Sequence, residues 1–236
     1  MKLVRQLYLN FWVRPRIQRS YRKLSLSETF TRIYMSKAWG EVSDQQFYSG
    51  WGSQGKAADE YCKNVVAFIR SRGIESVADL GCGDFRIGRQ ITSKTGVRYV
   101  GVDIVKALVE RNSTQFGNGQ IAFLCANLAA DPLPRAQLCL VRQVLQHLSN
   151  AEIDAVLTQI SQYSFALITE HTPKSPKCFN RDKPHGPDVR AAYGSGVYLE
   201  HPPFSRKVEV AWETEVDDDS VLRTVLLSGL RSNAHE

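Results

Sequence analysis

Between residues 56 and 170, segments with apolar residues at helical spacing alternate with short continuous apolar runs. Residues 56–73 carry apolar side chains at helical spacing and end at Gly73, a pattern that predicts a helix. Short continuous apolar runs then alternate with further segments of helical spacing. The predicted strands are SVADL, VRYVGVDI, QIAFLCA, QLCLVR and SFALITE. The predicted helices between them are DFRIGRQITSKTG, VKALVERNSTQFG and SNAEIDAVLTQISQY, the last capped at Ser149 or Asn150 with Glu152 following.

This alternation predicts an α/β fold. Continuous apolar strands separated by helices are typical of a mostly parallel central sheet with helices on both faces. The segment KVEVAWETEVDDDSVLRTVLLSG differs, because it predicts two strands joined by the acidic turn Asp217–Asp219. So short a connection makes them an antiparallel hairpin. A dinucleotide dehydrogenase would instead repeat a second βαβαβ half, so the order of elements disfavours that class.

A long segment, residues 171–204, separates the fifth predicted strand from the hairpin. It is rich in Pro, Gly, His and Tyr, and loops of this length are uncommon unless they are functional or disordered. Its aromatic residues argue against disorder, and it follows the carboxyl end of a strand, where α/β sheets bind ligands. Its candidate contacts to a sugar or another hydroxyl-rich molecule are Asn180, His185, Tyr193 and Tyr198.

Charge is concentrated at the N-terminus. Residues 1–37 contain nine Lys and Arg against a single acid, Glu28, which gives the segment a net charge of +8 in a chain of +6. The remainder is therefore slightly acidic, and we predict a basic arm or helix over residues 1–40 and one domain over 41–236. The arm is a candidate contact for anionic lipid or nucleic acid. The alternative is a helix whose polar face is solvated and whose apolar face packs on the domain.

The cysteines and the apolar runs favour a cytoplasmic protein without a metal site. The chain has five cysteines, an odd number, with no CxxC pair, so we expect buried free thiols rather than a disulfide framework or a zinc site. No apolar run approaches the length of a membrane span. We interpret the N-terminus as mature sequence and not as a signal peptide, since Asn10 interrupts its short apolar patch.

A glycine turn follows the first predicted strand, in the stretch ESVADLGCGDF. Gly81 and Gly83 let the backbone turn sharply and approach a ligand, as in enzymes that bind dinucleotides or S-adenosylmethionine (SAM). In the dinucleotide fingerprint GxGxxG the third glycine would come two residues earlier than Gly88 does here. The carboxylates of Asp79 and Asp84 would also repel a pyrophosphate. The turn therefore favours SAM, whose amino acid group is cationic.

A further carboxylate, Asp103, stands at the end of the second predicted strand, about twenty residues after Gly83. A carboxylate at this place can accept hydrogen bonds from both hydroxyls of a ribose. Asp103 fits either ligand, so it predicts a bound ribose without indicating whether the ribose belongs to a dinucleotide or to SAM.

Three motifs, VADLGCGD, YVGVDI and LVRQVLQHLS, resemble those of the class I SAM-dependent methyltransferases in both order and spacing. The resemblance extends from about Trp39 to Glu170, and it implies a Rossmann-like class I methyltransferase fold. Within the class, the chain is similar to a bacterial subgroup loosely associated with methylation of surface polysaccharide or other small metabolites. The segments that carry this similarity are IYMSKAWG, GWGS, LGCGDFR, GVDIV and LQHLS.

The resemblance also implies the roles of cofactor-binding residues. Asp103 would bind the ribose and Ile104 would pack on the adenine, while Asn127 would accept from the adenine amine, where relatives usually have Asp. Ser53 would close over the methionine carboxylate. The residues implied around the methionine and sulfonium end are Asp79, Gly81, Cys82, Gly83, Arg142 and Gln143. Gln143 and Gln137 stand where the subgroup is expected to have Asp, which puts contacts to the sulfonium or the substrate in question.

Methyl transfer needs mainly alignment and exclusion of water, and a base only if the acceptor loses a proton. His147 is the first candidate base, because imidazole titrates near neutral pH and follows the fourth strand at the cleft mouth. The alternative is a histidine that hydrogen-bonds the backbone at the start of a helix. Glu170 and His171 end the fifth strand, and we expect one of them to face the substrate unless both anchor the long loop.

The sequence thus predicts a SAM-dependent methyltransferase that acts on oxygen or nitrogen of a small-molecule or glycan-linked acceptor and releases S-adenosylhomocysteine (SAH). A non-catalytic SAM-binding or scaffold protein with this fold is the main alternative. An RNA methyltransferase is a lesser alternative, because the remainder of the chain is acidic and has no N/D-P-P-Y/F motif. The sequence does not indicate an oligomeric state.

Overall fold

A seven-stranded sheet forms the centre of the molecule in the computed structural model, which describes residues 20–42 and 46–228. The strand order is β3-β2-β1-β4-β5-β7-β6. The strands are β1 (Ser76–Leu80), β2 (Arg98–Asp103), β3 (Ile121–Cys125), β4 (Leu138–Arg142), β5 (Phe165–Pro173), β6 (Glu209–Asp217) and β7 (Ser220–Ser228). Strands β1 to β5 are parallel, and β7 joins β5 in antiparallel pairing with β6 beyond it. The predicted mostly parallel sheet with a terminal antiparallel hairpin is confirmed.

Helices cover both faces of this sheet, as the apolar strands predict. The α-helices are α1 (Leu26–Met35), α2 (Gly55–Arg72), α3 (Arg86–Thr95), α4 (Lys106–Phe116) and α5 (Asn150–Ile160). Tyr61 and Val65 of α2 and Ile91 of α3 belong to one apolar cluster, while Ile153 and Val156 of α5 belong to another. Residues of β1 and β4 alternate between the two clusters, so the central strands are buried on both sides.

Local sequence signals place the helix ends. Helix α2 ends at Gly73, which has a φ of 60°, a left-handed conformation that glycine adopts without steric cost. Helix α5 begins after Ser149, whose side chain accepts from the backbone N–H of Glu152 while the Glu152 carboxylate accepts from the Ser149 N–H. Of the two predicted caps, Ser149 is therefore the one used.

The edge strand β3 departs from the expected burial. Cys125 on this strand is exposed, as is Cys178 in the long loop, whereas Cys62, Cys82 and Cys139 are buried. The expectation of buried thiols is thus corrected for two of the five, although all are free. The reason for Cys125 is topological, because β3 lies at the sheet edge and the chain passes from β3 to β4 without an intervening α-helix.

The part of the predicted N-terminal arm that is described packs on the domain. Tyr34 of α1 forms a small apolar cluster with Phe47, Val105 and Leu108. Residues 20–40 therefore pack on the domain, and the predicted boundary at residue 40 does not divide the described residues into two separately packed parts. Residues 1–19 lie outside the described residues, and so does most of the basic segment expected to contact lipid or nucleic acid. Within the described ranges, no helix has the length and hydropathy required to cross a membrane.

Candidate functional site

A cavity of about 530 Å³ opens at the carboxyl ends of β1, β2 and β4. This volume is in the range typical of sites for small ligands and cofactors, about 300–1,000 Å³. Its walls come from residues 26–40 and 49–53, from the loops after β1 to β4, from Ile87 and Val156, and from Pro187 and Val189 of the long loop. All ten residues predicted to bind cofactor line it: Ser53, Asp79, Gly81, Cys82, Gly83, Asp103, Ile104, Asn127, Arg142 and Gln143.

The glycine turn forms one wall and is as tight as the sequence predicts. Gly81 and Gly83 have φ values of 82° and 55°. A Cβ atom at Gly81 would lie 2.3 Å from Cγ2 of Val144, and one at Gly83 would lie 2.3 Å from Oγ of Ser49. Both positions therefore require glycine for conformation and for space.

Asp79 lies buried beside this turn. The Tyr99 hydroxyl donates a hydrogen bond of 2.6 Å to its carboxylate. Burial raises the pKa of Asp79 to about 6, although the Tyr99 hydrogen bond and the Arg142 charge oppose the rise. Gly88 lets Tyr99 come this close, because a Cβ atom at Gly88 would lie 2.3 Å from the Tyr99 hydroxyl. The third glycine of the motif thus serves packing between α3 and β2.

Asp103 forms the next acidic group of the cavity, at the end of β2. Its side chain is 8% exposed, and its two oxygens accept hydrogen bonds from the backbone N–H groups of Gly83 and Val105, each at 3.1 Å. Burial raises the pKa of Asp103 to about 6, against the effect of these N–H donors. The hydrogen bonds fix the carboxylate in orientation and leave lone pairs for a ligand.

Three smaller predicted residues line the same end. The Asn127 Oδ1 already accepts from the backbone N–H of Ala129 at 3.0 Å, so one of its two lone pairs remains for an adenine amine. Ser53 donates its hydroxyl proton to the Gly50 carbonyl at 2.8 Å. Ile104 offers an apolar, half-buried side chain next to Asp103.

Arg142 and Gln143 hold the segment that lies over the glycine turn. The Arg142 guanidinium donates to the Gly52 carbonyl at 2.6 Å and stacks 4.9 Å from the centre of the Tyr61 ring. Gln143 has a φ of 55°, and a Cβ atom at Gly52 would lie 2.4 Å from the Gln143 Oε1. Within the described residues, the buried Nε2 of Gln143 has no hydrogen-bond partner.

His147 lines the cavity and also bonds the backbone, as its alternative interpretation expects, while its role as a base stays a prediction. Its Nδ1 lies 3.2 Å from the Gly186 carbonyl, which only accepts, so Nδ1 carries the proton and Nε2 keeps its lone pair. Burial, aided by the Lys183 charge, lowers the pKa of His147 to about 3. The ring packs against Trp39 and Phe30, with centroid distances of 5.0 Å and 6.4 Å. The imidazole is therefore neutral at physiological pH.

Glu170 does not line the cavity, so the geometry gives no support to its predicted catalytic role. Its carboxylate accepts from three consecutive backbone N–H groups, those of Val144, Leu145 and Gln146, at 3.1, 2.9 and 3.1 Å. Burial raises the pKa of Glu170 to about 7, while these N–H donors oppose the rise. The residue is a clamp beneath the turn that carries Gln146 and His147.

His171 and Gln137 also lie away from the cavity wall. The Nε2 of His171 is 2.8 Å from the Ser220 hydroxyl, where β5 pairs with β7, and burial lowers its pKa. Gln137 precedes β4 at the opposite end of the sheet, and its Oε1 accepts from the Glu75 N–H at 2.6 Å. An Asp in place of Gln137 would therefore not face a ligand in this cavity.

The predicted sugar contacts of the long loop are corrected in the same way, because they hold the loop itself. The Asn180 side chain bonds the backbone of Tyr198 in both directions at 2.8 Å. His185 lies 2.7 Å from the Glu152 carboxylate, and the hydroxyls of Tyr193 and Tyr198 donate to Asp188 and to the Pro173 carbonyl. None of the four lines the cavity.

Sequence reasoning missed several lining residues. Phe30, Tyr34 and Trp39 reach the cavity from the N-terminal segment, and Gln146 from the turn after β4. The run IYMSKAWG contained two of the aromatic residues but gave no indication that they face a ligand. No group of three or more His, Cys, Asp or Glu side chains that could hold a metal ion occurs in the described part of the chain.

Comparisons with known proteins agree with this geometry. Residues 77–163 match the family described as methyltransferase domain. Among solved structures, human N-acetylserotonin methyltransferase in complex with SAM is 17% identical with a TM-score of 0.55, over 92% of this chain and 68% of that chain. The N-methyltransferase NodS of Bradyrhizobium japonicum in complex with SAH is 10% identical with a TM-score of 0.56, over 83% and 98%.

The methyltransferase domain of bacterial CtHen1 is 15% identical with a TM-score of 0.53, over 73% of this chain and all of that one. A search of curated proteins finds no match. At these identities the structures share the fold alone, while the family match covers the segment that contains the glycine turn and Asp103. The chain therefore contains a segment similar to the methyltransferase domain family, within a fold that it shares with these solved methyltransferases.

Proposed function

We propose that the chain binds SAM in this cavity and transfers its methyl group to oxygen or nitrogen of a small-molecule acceptor, as an enzyme of the general class EC 2.1.1.-. The observation that carries the proposal is a single cavity with two chemically distinct ends. One end has the glycine turn with Asp79 and Asp103, and the other has aromatic rings around the neutral His147. A cofactor and an acceptor can therefore lie side by side.

The acidic end suits SAM better than a dinucleotide. The carboxylates of Asp79, Asp84 and Asp103 all line the cavity around the glycine turn, where a pyrophosphate would be repelled. The guanidinium of Arg142 is directed at the Gly52 carbonyl and the Tyr61 ring. Asp79 would accept from the ammonium group and Asp103 from the ribose hydroxyls. The similar solved structures that contain SAM or SAH support the same assignment.

Bound SAM supplies an electrophilic methyl group on a sulfonium sulfur. The protein contributes position and exclusion of water, since α1 and the Gly50–Ser53 segment cover the cavity. The Nε2 of His147 has a lone pair and can accept a hydrogen bond from the acceptor hydroxyl or amine. Because the His147 pKa is about 3, the ring orients the acceptor rather than storing a proton.

The test of this proposal is a calorimetric titration of the full chain with SAM, SAH and NAD. We expect dissociation constants of about 1–100 μM for the two sulfur ligands, in the usual range for enzyme substrates, and no binding of NAD. Binding of NAD, or no binding of SAM and SAH, would overturn the cofactor assignment. Tight SAM binding without methyl transfer to any acceptor would instead favour a non-catalytic SAM-binding protein.

The affinity for SAH is expected to depend on pH. Burial raises the pKa values of Asp79 and Asp103 to about 6 in the free protein, whereas both carboxylates must be ionised to accept from the ligand. Binding therefore releases protons near pH 6, and affinity falls as the pH decreases through that value. From pH 7 to pH 5 we expect a loss of about 10-fold to 100-fold, one decade for each carboxylate that titrates.

Calorimetry at pH 5, 6 and 7 in two buffers of different ionisation enthalpy measures both the affinity and the released protons. A pH-independent affinity over this range would show that neither carboxylate changes its protonation on binding.

A further inference from the structure

The end of the cavity away from the glycine turn has a mainly apolar wall. We call it the apolar end; its residues are Phe30, Trp39, Pro187 and Val189, with Gln146 and His147 beside them. Leu26, Leu148 and Val156 also line the cavity, but they pack with Leu128, next to Asn127 at the expected adenine position. Leu26 and Phe30 pack against the apolar cluster that contains Leu148 and Val156, and the Trp39 indole N–H donates to the Pro187 carbonyl at 3.4 Å. These contacts bring three distant parts of the chain around one space.

Charge is absent from the apolar end. Among the described residues, the charged side chains that line the cavity are Asp79, Asp84, Asp103 and Arg142, and all four surround the glycine turn or the Gly52 segment that lies over it. A buried cation, Lys183, donates to the His147 carbonyl at 3.3 Å but does not line the cavity. An ionised acceptor group would therefore have no charged side chain in direct contact at the apolar end, which is unfavourable. A cationic acceptor would in addition be repelled by a sulfonium. The apolar end thus selects an uncharged molecule.

Two hydrogen-bond acceptors remain available there. Gln146 is 2% exposed, and within the described residues its buried Oε1 has no hydrogen-bond partner. Its Nε2 has contacts of 3.4 Å to the Gln143 carbonyl and 3.5 Å to the His147 Nε2, both at the limit of hydrogen-bond length. A ligand that donates one or two hydrogen bonds would satisfy Gln146 Oε1 and His147 Nε2.

This small number of polar partners decides against a sugar. A sugar ring carries hydroxyls on most of its carbons, and each hydroxyl that loses water needs a new partner. Among the described residues, Gln146 and His147 provide two acceptors and the Gln143 Nε2 provides one donor. The rings of Phe30, Trp39 and His147 provide faces and edges on which a flat molecule can stack. Their centroids are 5.0 to 6.4 Å apart, which is normal for packed aromatic groups.

We propose that the acceptor is an uncharged, flat aromatic molecule with a hydroxyl or amine group that donates to Gln146 and His147. This inference rests on the proposed function and narrows its acceptor, in place of the glycan-linked acceptor that the sequence allowed. In the reaction the acceptor oxygen or nitrogen forms the new bond to the methyl carbon as the carbon–sulfur bond breaks. The sulfur keeps the bonding pair, which gives SAH, and the acceptor proton is released to solvent.

The experiment uses the full chain saturated with SAH and titrated with 1-naphthol, 2-naphthylamine, methyl α-D-glucoside and methyl α-L-rhamnoside. Mass spectrometry with SAM in place of SAH then detects methylated product. We expect the two naphthalene compounds to bind and the glycosides not to bind. Binding of a glycoside, or failure of both naphthalene compounds to bind the SAH complex, would overturn the acceptor class. Failure of SAH itself to bind would overturn the proposed function instead, so the two failures are distinguishable.

A variant tests the polar contact. Gln146→Leu keeps the side-chain volume but removes the acceptor oxygen, and we expect about a tenfold weaker affinity for 1-naphthol with an unchanged affinity for SAH. The matched control Gln120→Leu changes an exposed residue that does not line the cavity, and it should leave both affinities unchanged. Equal 1-naphthol affinity in the Gln146 variant and the wild type would exclude this residue from acceptor recognition.

Discussion

Asp103→Ala is expected to lower the affinity for SAM and SAH about 1,000-fold. The carboxylate would accept from both ribose hydroxyls, and hydrogen bonds to charged groups contribute about 1.5–3 kcal/mol each. Two such bonds correspond to roughly two to four decades in the dissociation constant, at about 1.4 kcal/mol per decade. The loss also releases the N–H groups of Gly83 and Val105, so the glycine turn becomes less well ordered.

Calorimetric titration with SAH measures the effect, and thermal unfolding reports on the fold. Asp59→Ala is the matched control, because Asp59 is an exposed carboxylate of α2 that does not line the cavity. It should bind SAH as the wild type does. A change of less than about threefold in Asp103→Ala would mean that the ribose is bound elsewhere in the cavity.

Glu170→Ala is expected to lower the free energy of unfolding by about 4 kcal/mol, because three buried backbone N–H groups lose their partner and each costs about 1–3 kcal/mol. For a chain of this size the melting temperature should fall by roughly 10 °C, at about 2–4 °C per kcal/mol. The affected turn, Val144–His147, carries the two polar side chains of the apolar end. Differential scanning calorimetry measures the loss.

Two further variants distinguish the loss of the hydrogen bonds that Glu170 accepts from the general effect of shortening a side chain at the end of β5. Glu170→Gln keeps an oxygen for two of the N–H groups but places an amide donor against the third, so we expect a smaller loss of stability. Its methyl transfer should fall while its SAH affinity stays near that of the wild type, since Asp79 and Asp103 belong to other strands. His171→Ala removes one hydrogen bond to Ser220 and should change neither methyl transfer nor SAH affinity. A melting temperature of Glu170→Ala within 2 °C of the wild type would contradict the clamp.

The end of the cavity at the glycine turn was predictable because the sequence signals that form it are local. A strand that runs into a glycine turn places Asp79, Gly81 and Gly83 within a few residues of one another, and Asp103 ends the next strand. The carboxyl ends of parallel strands meet at one edge of the sheet, so periodicity alone brings these residues together.

The apolar end was not predictable, because packing between distant segments forms it. Phe30, Trp39 and Pro187 have no local pattern that distinguishes a ligand-facing side chain from a core side chain. Glu170 illustrates the same difficulty at a strand end. Its position in β5 was predicted well. The direction of its side chain is set by hydrogen bonds from three backbone N–H groups in the turn after β4, which a sequence pattern does not reveal.

The two ends of the cavity differ in how much of each lies within the segment that matches the methyltransferase domain, which includes Gln146 and His147 but not residues 49–53. Asp79 and Asp103 lie within the matched segment 77–163, whereas Phe30, Trp39 and Pro187 lie outside it. Substitutions at Phe30, Trp39 and Pro187 are therefore expected to alter acceptor binding more than SAH binding. Variation confined to these three positions, which leaves the Tyr34–Ser49 contact and the glycine turn intact, is then a practical route to a new specificity.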